Sequence, residues 1–194
     1  MYMKIVDPLI TIEEGKMGAM SRYSLEEFYQ NSESSPNPLE YIHEQIFSLP
    51  TSQKEHQLIL ERLRKKLLIL GGMSYSFCSY PNDLLLIKQD DIAIIKPDLA
   101  VFKFLNERRQ VPDVIFEIIS PTNQAHDLVL KLDLYMSFKV SEYWVINPLL
   151  KAVLLFSLDE HGYNQSDIAK NEGVVQSKLI PEFKVDLAIL FKEQ

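Results

Sequence analysis

Hydrophobic and polar positions change period several times along the chain, and each change predicts an element. Leu60, Leu63, Leu67 and Leu70 recur three or four residues apart, the spacing of an amphipathic helix. Ser52 and Glu55 form an S-x-x-E capping box at its start, and Gly71-Gly72 stops it. A shorter helix is predicted over 24–29, with Ser24 as N-cap and Glu27 as its capping-box partner, followed by a Ser-, Asn- and Pro-rich loop over 31–38. Residues 40–49 read as one or two short strands. Beyond the long helix come strand-like runs at 73–79, 84–88, 92–95 and 99–104. Pro81-Asn82-Asp83, Asp90-Asp91 and Pro97-Asp98 punctuate them, which predicts a meander of hairpins.

The second half reads differently. Residues 114–119 are apolar except for Glu117, the pattern of a strand buried on both faces. Residues 127–139 read as a helix with Leu128, Lys131, Leu132 and Tyr135 on one face, and 142–146 as another buried strand. A β–α–β unit over 114–146 predicts a parallel pair inside a mixed sheet, hence an α/β or α+β domain. A strand at 153–157 follows the Asn147-Pro148 turn, and weaker strands lead to a short helix over 186–191. Residues 1–20 show no period and read as a flexible lead, with residues 21–194 forming one domain. No repeat or low-complexity segment interrupts it.

Composition narrows the function classes. With 46% hydrophobic and 24% charged residues the chain can bury a core, which excludes general disorder. No apolar run approaches the ~18 residues of a membrane span, and no signal-peptide pattern follows Met1. The single cysteine, Cys78, cannot form an internal disulfide. Together these place the expected compartment in the cytoplasm. Net charge is −7, from 20 Lys and Arg against 27 Asp and Glu, which argues against a general nucleic-acid coat but leaves room for a local basic patch. Arg62, Arg64, Lys65 and Lys66 form such a patch, either a solvated helix face or a phosphate-facing one. No glycine-rich phosphate loop and no G-x-S-x-G elbow is present. His43, His126 and His161 are scattered without zinc spacing. Cys78 and Trp144 read as core residues.

The chemistry concentrates elsewhere. A carboxylate in a buried strand needs a cation, a donor network or a metal to offset its desolvation, and Glu117 sits among Val114, Ile115, Phe116, Ile118 and Ile119. Asp98, directly after Pro97 at the start of another strand, is the natural second ligand for a hard divalent cation. Asp113 also follows a proline, Pro112, but stands four residues before Glu117. At about 3.3 Å per residue it lies ~13 Å away, too far to share an ion, and it reads as a strand-start residue. A positive group is sought beside the two carboxylates. Asp127, Lys131 and Tyr135 fall at i, i+4 and i+8, either an ordinary surface pair with Tyr135 packed beneath or part of a site. His56, in the first turn of the long helix, is an acid–base candidate, although such histidines are more often solvated or capping.

The run Pro112-Asp113-Val114-Ile115-Phe116-Glu117-Ile118-Ile119-Ser120-Pro121, then Asp127, Lys131, Tyr135, Val140 and Glu142-Tyr143-Trp144-Val145-Ile146-Asn147-Pro148, resembles the Uma-two family of putative restriction endonucleases, within the PD-(D/E)XK nuclease superfamily. Pro97-Asp98-Leu99-Ala100-Val101 is similar to the family's PD strand. Leu39-Glu40-Tyr41-Ile42 resembles its upstream acidic segment, and Glu55-His56-Gln57 the start of its first long helix. The resemblance covers roughly residues 22–190. It implies a restriction-endonuclease-like mixed β-sheet flanked by helices. It implies Asp98 and Glu117 as ligands of Mg²⁺ or Mn²⁺, Glu40 as an outer acidic residue, and Lys131 as a displaced active-site lysine. The expected activity is metal-dependent hydrolysis of phosphodiester bonds in DNA. Two departures stand out: Ile119 occupies the lysine position of E-x-K, and His43-Glu44-Gln45 replaces the acidic–glycine turn after the upstream glutamate. The rival expectation is a catalytically degenerate nuclease fold serving as a binding or scaffold module, favoured by Ile119 and the net charge. Strand pairing across a two-fold would make a C₂ homodimer.

Overall fold

The computed structural model describes residues 22–49, 53–71, 75–79, 83–89, 91–103, 111–120 and 129–192. The N-terminal lead, Ser52, Gly72, Pro81-Asn82, Asp90, His126, Asp127 and Leu128 lie outside the described residues.

Helix α1 (Leu25–Ser34) opens on the predicted capping box: the Ser24 hydroxyl accepts from Glu27 N–H, and the Glu27 carboxylate accepts from Ser24 N–H at 2.7 Å. The Ser24 N–H and hydroxyl, both donating to the Glu27 carboxylate, hold it below its usual range. The helix runs past the predicted loop start at residue 31. Asn31 and Ser34, read as loop formers, instead bond back to the carbonyls of Glu27 and Gln30 one turn earlier, so their side chains supplement the helix.

Strands β1 (Leu39–Ile42) and β2 (Gln45–Ser48) form a hairpin across His43 and Glu44, both at positive φ, which resolves the ambiguous stretch. Helix α2 (Lys54–Gly71) buries Ile59, Leu63 and Leu67, with Leu60 and Leu70 flanking them, close to the predicted stripe.

Four strands follow: β3 (Tyr75–Ser79), β4 (Leu84–Lys88), β5 (Asp91–Ile95) and β6 (Leu99–Lys103). They do not form the expected meander. The β4–β5 hairpin joins β1 and β2 in a four-stranded sheet of order β2-β1-β5-β4, while β6 pairs with β3 in a second sheet. Lys96-Pro97-Asp98 carries the chain from one sheet to the other. The alternation of each strand suits either sheet, so local pattern did not assign partners.

Strand β7 (Val114–Ile118), helix α3 (Lys131–Ser137) and strand β8 (Glu142–Asn147) form the β–α–β unit, with β7 and β8 parallel as the pattern predicts. Strands β9 (Ala152–Asp159) and β10 (Gly162–Lys170) complete a six-stranded mixed sheet of order β10-β9-β8-β7-β6-β3. A small pair, β11 (Val174–Gln176) and β12 (Lys184–Asp186), leads into α4 (Leu187–Leu190), capped by Asp186. Helix α3 ends two residues before the predicted Lys139. Lys139 stands at φ 63°, its N–H bonds Met136 O, and Val140 N–H bonds Tyr135 O, which is a Schellman closure with lysine in the glycine position.

Two apolar layers flank the large sheet. One face packs Val114, Phe116, Ile118, Trp144 and Ile146 against α2, α4 and the β11–β12 pair. Trp144 lies there against Phe116 and Phe183, on the face opposite Tyr143. The other face packs Ala100, Ile115, Ile119, Tyr143 and Val145 against α3 and the inner residues of the small sheet, Ile42, Leu84, Leu86, Ala93 and Ile95. Cys78 borders this second layer, half-buried, which pushes its thiol above the ordinary value.

Candidate active site

Side-chain alternation directs the acidic residues to one place. Glu117 shares its strand face with Ile115 and Ile119, and Glu40 shares its face with Ile42; both faces turn toward the layer between the two sheets. From α3, Lys131 enters the same layer. Its Nζ lies 2.9 Å from Glu117 Oε1 and 3.1 Å from Glu40 Oε1. Glu40 Oε1 also accepts from Lys96 N–H at 2.8 Å, on the segment that crosses between sheets. All three residues are almost closed to solvent, with Glu40 at 0%, Lys131 at 1% and Glu117 at 4% exposure. Lysine and glutamate are seldom buried unless paired, so this bridge is what the burial requires.

Tyr135, one helical turn after Lys131, donates its hydroxyl to the same Glu117 Oε1 at 2.6 Å. Burial, reinforced by the negative charges of Glu117 and Glu40, pushes its phenol well above the ordinary range. The phenol therefore remains a proton donor, and Glu117 is held from two successive turns of α3.

Asp98 closes the group. The β6–β7 register pairs Leu99 with Phe116, and one further step would set Asp98 opposite Glu117. Ile118 N–H, the amide next to Glu117, donates to Asp98 Oδ2 at 2.7 Å. Asp98 Oδ1 lies 2.9 Å from His56 Nε2, contributed by the first turn of α2.

Of the four residues expected at the site, Glu40, Glu117 and Lys131 thus share one buried ion cluster, and Asp98 bonds the amide next to Glu117. Ile119 is buried where a strand lysine would stand; two residues from Glu117 on the same face, it leaves to Lys131 the delivery of an ammonium to that carboxylate. Asp113 stays apart at the other end of β7, where its carboxylate accepts Lys103 N–H and its carbonyl accepts the N–H groups of Ser141 and Glu142, as a strand-start residue does. Of the basic patch on α2, Arg62 donates to the carbonyls of Leu190 and Lys192, and Lys65 pairs with Glu61 one turn away. His43 stands 3.7 Å from Asp91, and His161 beside Glu160, both away from this cluster. Sequence reasoning undervalued Tyr135, taken as packing, and His56, taken as a helix-end residue. The i, i+4 spacing of Lys131 and Tyr135 was the available signal for the first.

The donor set can be tested against a metal. Among the described residues no group of three or more His, Cys, Asp or Glu side chains is arranged to hold an ion. Mg²⁺ keeps several waters and takes only one or two protein carboxylates, so an opposed aspartate and glutamate suit it chemically.

Two packed sheets, one mixed and built around a β–α–β unit, with buried carboxylates and a lysine at the sheet end, define a restriction-endonuclease-like α+β protein. The chain belongs to the Uma2 family, described as "putative restriction endonuclease", whose model matches residues 25–188. The crystal structure of a putative nuclease belonging to DUF820 from Anabaena variabilis superposes with a TM-score of 0.63 at 18% identity, covering 81% of this chain and 91% of that one. This likeness speaks to the fold. No curated protein matches the sequence. No helix among the described residues is long and apolar enough to cross a membrane.

Proposed function

We propose that this protein is a divalent-metal-dependent nuclease that hydrolyses phosphodiester bonds, with DNA as substrate and Mg²⁺ or Mn²⁺ as cofactor. The observation that carries the reading is the convergence of Glu117, Lys131 and Glu40 on one buried cluster, with Asp98 bonded to the amide beside Glu117. Membership of the Uma2 family supports the nuclease class.

Asp98 and Glu117 would hold the cation. When bound, it supplies Lewis-acid polarisation of the phosphodiester and activation of water near neutral pH. Lys131 contributes a fixed positive charge where negative charge develops on the phosphate. Glu40, anchored by Lys96 N–H, holds the Lys131 ammonium in place, and Tyr135 orients Glu117. Asp98, at 9% exposure, is the most open of the four predicted residues, so substrate approaches from its side.

The rival reading, a nuclease fold retained as a binding module, draws on the near-complete burial of Glu40, Glu117 and Lys131. Conversion of supercoiled plasmid to nicked and linear forms, with and without Mg²⁺ or Mn²⁺, separates the two. The nuclease reading expects cation-dependent cleavage lost in Asp98→Asn and Glu117→Gln. No cleavage by the wild type, or equal cleavage by all three, would sink it.

A further inference from the structure

Asp98 is held at both carboxylate oxygens by donors from two different elements. Ile118 N–H holds Oδ2 from β7, while His56 Nε2 holds Oδ1 from α2, the helix packed on the face opposite Glu117. A carboxylate turns easily about its last torsion, and a donor on a single oxygen leaves that rotation open. Donors on both oxygens, supplied by two different elements, fix the plane. Each oxygen has roughly two acceptor directions, so a donor on each still leaves one for a cation.

We propose that His56 is a positioning residue of the cation site, setting the Asp98 carboxylate in the orientation that faces Glu117. The inference rests on the nuclease reading above and adds a residue to it. His56 Nε2 is the donor whether the ring is neutral or charged, so the role does not depend on its protonation. A purely structural role explains the contact less well. Helix α2 is held to the core by Ile59, Leu63 and Leu67 and to Leu190 and Lys192 by Arg62, and the His56 side chain is 18% exposed. Groups that orient a metal-binding side chain typically change cation affinity by about 10- to 100-fold when removed.

The test uses the full chain and Mn²⁺ alone. Calorimetric titration compares wild type, His56→Phe, which keeps a ring without the donor, and His56→Gln, which keeps a donor. Asp98→Asn is the control for the site itself. His56→Phe is expected to bind Mn²⁺ about 10- to 100-fold more weakly, with the metal-free melting temperature little changed, and His56→Gln to recover most of the affinity. A second readout needs no variant. In imidazole ¹H–¹⁵N spectra of the wild type, substoichiometric Mn²⁺ should broaden His56 before His43 and His161. Wild-type affinity in a folded His56→Phe, or sharp His56 resonances at saturating Mn²⁺, overturns the role of His56. A wild type that binds no Mn²⁺, or binds it independently of Asp98, instead overturns the nuclease reading and this inference with it.

Discussion

Lys131→Met is the sharpest test of how the buried cluster is held together. The substitution preserves a long apolar stem but removes the ammonium that lies 2.9 Å from Glu117 and 3.1 Å from Glu40. Both carboxylates are closed to solvent, so the loss cannot be repaired by water as it would be at a surface pair. Breaking a buried ion pair from one side typically costs about 3–5 kcal/mol. Domains have a total stability of roughly 5–15 kcal/mol, so the variant should fold but lie near the edge. For a chain of this size each kcal/mol moves the midpoint by about 2–4 °C, which predicts a fall of roughly 6–20 °C. Urea denaturation followed by circular dichroism gives the magnitude directly. One further measurement ties the loss to charge. Adding Glu117→Gln to Lys131→Met should recover part of the loss, since one stranded charge then disappears. A deficit below about 1 kcal/mol, the scale of an exposed pair, would refute the claim that Lys131 is what allows these carboxylates to be buried.

Other outcomes follow from the same geometry. Tyr135→Phe removes a 2.6 Å bond to Glu117 and should cost about 1–3 kcal/mol by urea denaturation. Because burial and the two nearby carboxylates raise the Tyr135 phenol, its ultraviolet titration in the folded protein should be missing at pH 10, where exposed tyrosines ionise; full ionisation at that pH would contradict the placement. Lys139→Gly relieves a left-handed residue at φ 63° after α3 and should raise stability by about 0.5–1 kcal/mol; a loss would show that the Schellman closure does not govern this site. Glu142→Ala strands the amides of Lys178 and Leu179 and the Ser177 hydroxyl, so it should lower the melting temperature sharply while leaving the Mn²⁺ affinity of the folded protein intact.

Much of this architecture was legible in the sequence, for identifiable reasons. The α1 capping box, the stripe of α2 and the parallel β7–β8 pair were local or periodic signals, and each element formed close to its predicted place. Sheet membership was not legible. The alternating runs from 75 to 103 are compatible with either sheet, and only the crossing at Lys96-Pro97-Asp98 divides them. For the cluster, the family resemblance supplied residues that periodicity alone left open. Nothing local shows that Lys131 reaches two glutamates from separate sheets, since Glu40 is 91 positions earlier in the chain. His56 was legible only as an acid–base candidate in a first helical turn, because its partner, Asp98, lies 42 positions away and belongs to another element.

Glu142 shows why the cost of burial could not by itself have located the site. It too is a carboxylate in a wholly buried strand, 2% exposed against 4% for Glu117, and the same argument would have singled it out. Its solution is different. The Trp144 indole, the Ser177 hydroxyl and the amides of Lys178 and Leu179 all donate to it, none of them carrying a charge. Such a set saturates the oxygens and ties β8 to the segment leading into β12, which is structural work. Glu117 instead meets an ammonium shared with a second glutamate and a phenol that stays protonated, and it neighbours the amide that holds a third carboxylate. Two carboxylates share one lysine and a third bonds the neighbouring amide, so charge is gathered here, whereas Glu142 is closed by neutral donors alone. What marks the functional candidate is therefore the company the buried charge keeps: other carboxylates and a cation.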